Sequence, residues 1–327
     1  MTSRVPLQFL DLDSLKSSLM ESVPSRDPAF ESMAEAFSQA RLLAESAYVE
    51  KNREAESQAE RILYLIHTMN HFAPPVQAQP ALIWGVLGRA KLWDALQVQQ
   101  SIAPVTRETL REELQELVKT AEKNDHPILD AICGYHDLKG VRIYAKNWMV
   151  TAHGFINQLG ALFQRAPAKL KPVVRENIDE EFEGTEHTVL RERFLKAIGV
   201  QYSPDAALRD PDYLFESMSV LNYRTLICSL SNPFFAFGNF YSIEGVFYQV
   251  SRHLAQGLRK RGMAEADIEM FTLHGDLDED HAAEWLAGLE AADLTDLERG
   301  QVLAGARAQM KIRHRHYEAM TSLLIAR

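Results

Sequence analysis

Helical periodicity, with no competing strand signal, is what most limits the fold of this chain. From Pro28 to His71, and again from Thr106 to Lys123, apolar residues recur at three- and four-residue intervals between charged ones, the spacing of an amphipathic helix. No alternating run of β-branched and polar residues is bounded by an Asn-Gly or Asp-Gly turn, so no hairpin is predicted. The breakers gather at Ala73-Pro74-Pro75, Ala166-Pro167, Gly199 to Pro204, Arg209 to Pro211 and Ser231 to Pro233, where they mark helix ends. An all-α fold follows.

At 327 residues the chain has room for two domains, or for one large domain with an extension. A boundary fits near residues 100–106, where Pro104 precedes an N-cap at Thr106 with Glu108 in the first turn. Residues 1–105 read as a Glu/Ala/Gln-rich N-terminal helical extension, and residues 106–327 as the domain that holds most aromatics and histidines. Two cysteines, Cys133 and Cys228, supply neither a disulfide framework nor a four-thiolate zinc site, which suits a reducing, cytoplasmic setting. The formal charge of −10 argues against duplex nucleic acid, because phosphate neutralisation supplies most of that affinity. The basic cluster Lys311 to Arg315 reads as a solvated helix face. No membrane span is expected, since even the apolar stretch from Leu221 to Val250 is broken by Arg224, Asn232, Pro233 and Glu244.

Three constellations carry chemistry. In FTLHGDLDEDH, on a helix turning about 100° per residue, His274, Asp278 and His281 fall at about 0°, 40° and −20°, so two imidazoles and a carboxylate share one narrow face; Asp276 and Asp280 point elsewhere. Such a mixed nitrogen and oxygen set suits iron, manganese or zinc. In NIDEEFEGTEH, Glu180 and His187 stack with Glu183 between them on a continuous helix, while Glu181 and Glu186 lie away. A break at Gly184 would loosen that phase and make Glu181 a candidate. Glu244 is a lone carboxylate in an aromatic, otherwise uncharged run from Thr225 to Ser251, and a buried carboxylate is costly unless paired or metal-bound. By spacing alone, each motif also fits a charged helix face. His67 and His71 read as a surface pair, and His314 and His316 face different sides of a helix.

Ferritin-type bundles draw their ligands from Glu-x-x-His pairs, and none occurs before these histidines. The pattern instead resembles the haem-oxygenase-like diiron oxidase and oxygenase family. In that family a Glu is followed by a His after seven to ten residues, then by a distant lone Glu, then by H-x3-D-x2-H. Here Glu180 and His187 are seven apart, Glu244 follows at 57 (187 to 244) and His274 at 30 (244 to 274). The flanks agree too, in HPILD from His126, the aromatic helix from Tyr144 to Phe163, and RERFLKAIGV after His187. The resemblance spans roughly residues 106 to 300 and implies a haem-oxygenase-like helical bundle holding two Fe(II) ions on Glu180, His187, Glu244, His274, Asp278 and His281, with Glu181 and His153 as further candidates. O2 is then the co-substrate, with an external electron donor where the reaction needs one.

Some relatives add a carboxylate from the preceding helix, but Asn147 to Arg165 has no Asp or Glu, leaving His153 and Asn157 as substitutes there. A lone His on an apolar helix is more often a hydrogen-bonded core residue. What the resemblance implies is N-oxygenation of a small-molecule or carrier-bound amino-acid-derived substrate in specialised metabolism, by a homodimer built through the extension. The alternatives are diiron desaturation, decarboxylation or C–C cleavage, a metal-free thiaminase-like enzyme, and a noncatalytic helical adaptor. Phe240, Tyr241, Tyr248 and Arg252, near Glu244, are the substrate-facing candidates.

Overall fold

A computed structural model describes residues 28–75, 78–96, 103–134, 137–182 and 187–325, without the side chains of 28–32, 79, 126 and 276–280. The described residues form helices and no strand, as the periodicity predicts. In chain order they are α1 (Pro28–Ala44, continued by a π-helical turn over Glu45–Val49), α2 (Arg53–Met69), α3 (Ala78–Ala95), α4 (Arg107–Gly134), α5 (Lys139–Ala152), α6 (Phe155–Arg165), α7 (Lys171–Glu180), α8 (His187–Ile198), α9 (Pro204–Arg209), α10 (Phe215–Ser229), α11 (Phe234–Lys260), α12 (Glu265–Ala291) and α13 (Asp296–Ile325). Their starts follow local chemistry. Asn52 accepts from the backbone N–H groups of Glu54 and Ala55 to cap α2, Ser203 accepts from Ala206 to cap α9, and the Thr106 hydroxyl accepts from the Thr109 N–H, the cap expected ahead of α4.

The aromatic helix expected from Tyr144 to Phe163 is two helices. Gly154 adopts φ +71°, a left-handed turn that closes α5 at Ala152 and opens α6 at Phe155.

Helix α11 runs through the middle of the molecule, packed along α12, α13 and α4. Its crossing with α13 is backbone on backbone. A Cβ at Gly238 would sit 1.8 Å from the Val302 carbonyl oxygen, and one at Gly305 would sit 2.1 Å from that of Phe235. Only glycine at both positions lets the two helices approach this closely.

Two apolar clusters flank the centre. One joins the first helices to α10, the start of α11 and the start of α13 through Leu63, Leu87, Tyr223, Phe237, Phe240 and Val302. The other joins α4, α5, α8, α12 and the later halves of α11 and α13 through Ile128, Trp148, Phe194, Leu254, Phe271 and Met320. A cavity opens between them.

The first helices dock on α10 through a buried polar chain. Lys91 donates to Glu60 at 2.5 Å and to Ser219 at 2.6 Å, and Asn222 donates to Glu60 at 2.8 Å. The indole of Trp84 donates to His67 Nε2 at 3.0 Å; since indole can only donate, the His67 proton resides on Nδ1, which donates to Asn222 Oδ1 at 2.7 Å. His67 is therefore fully buried, which corrects its reading as a surface residue, while His71, beyond the end of α2 at φ +48°, is exposed. The Lys311–Arg315 cluster divides likewise. Lys311 and His314 are exposed, but Arg313 turns inward to pair with Asp125 at 2.5 Å. No described helix is long and apolar enough to cross a membrane.

Candidate metal centre

Two groups of donors meet at one wall of the central cavity. The first is Glu181, His187 and His274. One ligand atom from each lies within 4.8 Å of the others, a spread that a single cation bridges with bonds of ~2 Å. Glu181 Oε2 is 3.1 Å from His187 Nδ1 and 3.1 Å from an Arg191 Nη, and the rings of His187 and His274 lie 4.7 Å apart. The second is Glu180, Glu244 and His281. Here His281 Nε2 is 2.5 Å from Glu180, and its Nδ1 is 3.8 Å from Glu244. One imidazole thus has a carboxylate at each nitrogen.

Chain geometry explains the meeting. Helix α7 ends at Glu180, and Glu181 is its cap residue. The continuous-helix phase does not hold, and it is Glu181 that reaches His187 at the start of α8. The carboxylate expected to lie away is thus the nearer one, and Glu180 turns instead to His281. Glu183 and Glu186 lie outside the described residues. On α12, His274 and His281 come to the site on one face, as their spacing requires; the side chain of Asp278 lies outside the described residues. Glu244 comes from the interior of α11 and is buried.

Electrostatics separate the carboxylates. Burial pushes Glu181 upward, but the His187 hydrogen bond and the Arg191 charge outweigh it and hold this carboxyl below the usual range. For Glu180 burial wins over the attraction of His281, and its pKa is raised. Burial, with His187 beside it, lowers His274 to about 3, so this imidazole stays neutral. Its Nδ1 donates to the Met270 carbonyl oxygen at 2.9 Å, which leaves the Nε2 lone pair for a ligand.

The donors of the first group therefore fit iron. They are buried oxygen and nitrogen groups, with one imidazole fixed in the tautomer a metal needs. The cavity beyond them measures about 130 Å³, close to the roughly 150 Å³ of an apolar cavity that takes up benzene. Trp148, Phe155, Phe247 and Met270 give it an apolar wall, and Arg224, Gln309 and Arg313 give it polar groups.

Other expectations land elsewhere. His153, the cap of α5, packs edge-on against Phe72 and Tyr202 and does not line the cavity. Asn157 does not reach it either. Phe240, Tyr241, Tyr248 and Arg252 are not among the lining residues; Phe240 stacks on Trp285 and Arg252 on Tyr248. On α11 it is Ile243, Val246 and Phe247 that flank Glu244 in the wall. Sequence reasoning missed Arg191, Arg224 and Arg313. The signal for Arg224 was available: it is a lone cation just ahead of the uncharged run that made Glu244 conspicuous.

Comparison with known proteins bears on the same segment. Residues 142–314, which include every donor above, match the family described as iron-containing redox enzymes. Among solved structures, a CADD-like protein of unknown function from Nostoc punctiforme is similar at 16% identity with a TM-score of 0.54, over 67% of this chain and 98% of that one. No curated protein matches.

Proposed function

This chain belongs to the iron-containing redox enzyme family, and on that premise we propose that it is a non-haem diiron oxygenase that N-oxygenates a small amine derived from an amino acid. The observation that carries this reading is the pairing of two donor groups, Glu181/His187/His274 and Glu180/Glu244/His281, at one cavity wall. Asp278 would join them from α12. Bound iron would supply the electrons and the open positions by which O2 is activated.

The chain's own residues do the rest. Arg191 and His187 hold Glu181 as a carboxylate, ready to accept positive charge. The Met270 carbonyl aims His274. Trp148, Phe247 and Met270 keep water from the substrate side, so an amine placed there meets the oxidant before solvent does. Diiron desaturation or C–C cleavage is the second reading. It is favoured by the lack of any carboxylate from Asn147 to Arg165, the stretch from which, by the family resemblance, some relatives, N-oxygenating ones included, add a further one. The first helices, docked on α10, would form the dimer interface of the extension.

The test is anaerobic loading with Fe(II), followed by iron analysis and an O2 pulse. About two irons per chain and consumption of O2 are expected, with His281→Ala losing iron. Fewer than one iron per chain, or undiminished iron in His281→Ala, would refute the assignment.

A further inference from the structure

Arg224 is a buried cation with no anionic partner among the described residues. Its side chain lines the cavity and is only 3% exposed. Its Nε donates to the Gln158 amide oxygen, and one Nη donates to the Thr151 carbonyl oxygen, so both acceptors are neutral. The guanidinium rests over the Phe155 ring at 5.2 Å. Among the described residues no carboxylate pairs with it. A guanidinium carries five N–H donors, and these two acceptors leave three of them over on a residue that lines the cavity.

Such a charge is expensive to bury unless something pairs it. Burial in fact lowers its pKa to about 10, still protonated at neutral pH. Glu244 and Glu181 are near enough to favour its charge. Both, however, belong to the donor groups, and iron would claim their negative charge. Nearby Arg191 is already engaged with Glu181, and Arg313 with Asp125. Of these three arginines in the cavity lining, Arg224 is the one whose partners among the described residues are neutral.

We propose that Arg224 is the anchor for a free carboxylate of the substrate, so that the substrate is an amino acid or related amine with an unesterified carboxylate, not a thioester carried on a partner protein. A carboxylate can accept two parallel N–H groups of the guanidinium, which fixes orientation as well as position. The other end of a benzene-sized molecule is then directed at the donor groups. Esterification to a carrier would remove the charge that Arg224 requires. This inference rests on the reading that the cavity is the reaction chamber.

The experiment measures binding of three matched pairs, acetate and acetamide, butyrate and butyramide, benzoate and benzamide, by calorimetry. It uses the full chain with and without Fe(II), as wild type, Arg224→Gln and Arg224→Lys. In the tightest pair the carboxylate should bind wild type at least about tenfold better than its amide, without iron as well as with it. That preference should collapse in Arg224→Gln and partly return in Arg224→Lys. Iron per chain should be unchanged in both variants. If wild type shows no preference, or shows it only with iron present, or if it survives Arg224→Gln, the anchor is overturned. The wild-type comparison decides even if Arg224→Gln does not fold. A preference lost in Arg224→Gln in a protein that retains no iron would keep the anchor and remove the diiron reading; the reverse pattern would do the opposite.

Discussion

Replacing Lys91 by Met tests how the first helices are held to the part of the molecule that carries the site. The Lys91 ammonium and the Glu60 carboxylate are almost wholly buried, 2.5 Å apart, and Ser219 and Asn222 of α10 complete the shell. Met keeps the volume and the apolar stem but leaves the Glu60 charge uncompensated. Breaking a buried pair from one side costs about 3–5 kcal/mol. Unfolding entropy of about 2.1 cal/mol/K per residue over 327 residues gives ~0.7 kcal/mol per degree, so the melting temperature should fall by roughly 4–7 °C. The assay is thermal unfolding followed by circular dichroism, on Lys91→Met, Glu60→Gln and the double variant. Because Gln removes the stranded charge yet can still accept from Asn222, the double variant should recover at least half of the loss. A Lys91→Met protein that melts within about 1 °C of wild type, or a double variant no better than Lys91→Met, would refute the reasoning.

The same chain makes stability depend on pH. Burial holds His67 at about 4 against an ordinary value near 6.5, so between those values the unfolded chain takes up a proton that the folded chain refuses. Its stabilising effect, on the order of 3 kcal/mol, is whole above about pH 6.5 and is lost as pH falls toward 4. His67→Gln should flatten that part of the stability profile, and an unchanged slope would count against it. Gly238→Ala should cost at or above the upper end of the roughly 1–3 kcal/mol typical of overpacking, because the added Cβ meets backbone. Gly160→Ala, in α6 with nothing within 4 Å of the new Cβ, should be neutral or stabilising by about 0.5–1 kcal/mol. Equal melting temperatures for the two would sink the argument.

How much could be read from the chain differs from residue to residue. His274 and His281 were legible because seven residues of one uninterrupted helix return them to the same face. Glu244 was legible because a carboxylate in an uncharged aromatic run has few uses. The pair Glu180 and Glu181 was not, since their phase depends on whether the helix continues past Glu180, which periodicity does not decide. His67 looked exposed because its own helix is amphipathic; the group that buries it, Trp84, lies on another helix, and Asn222 on a third. The docking of α2 and α3 on α10 is a tertiary event, and no local pattern announces it. The same applies to Arg224, whose meaning comes from the neutrality of Gln158 and Thr151.

The contact of Gly238 with Val302 and of Gly305 with Phe235 has a consequence for how such a centre can change. Glu244 lies six residues beyond Gly238, about 9 Å along α11. Its position is inherited from one main chain touching another, with no side chain between them to trim or enlarge. Selection, or a protein engineer, can therefore reshape the cavity freely through Phe247, Phe155 or Trp148 while the carboxylate stays put. Moving Glu244 itself would require re-spacing two whole helices. The cavity is adjustable, and this one corner of the candidate metal centre is cast in place.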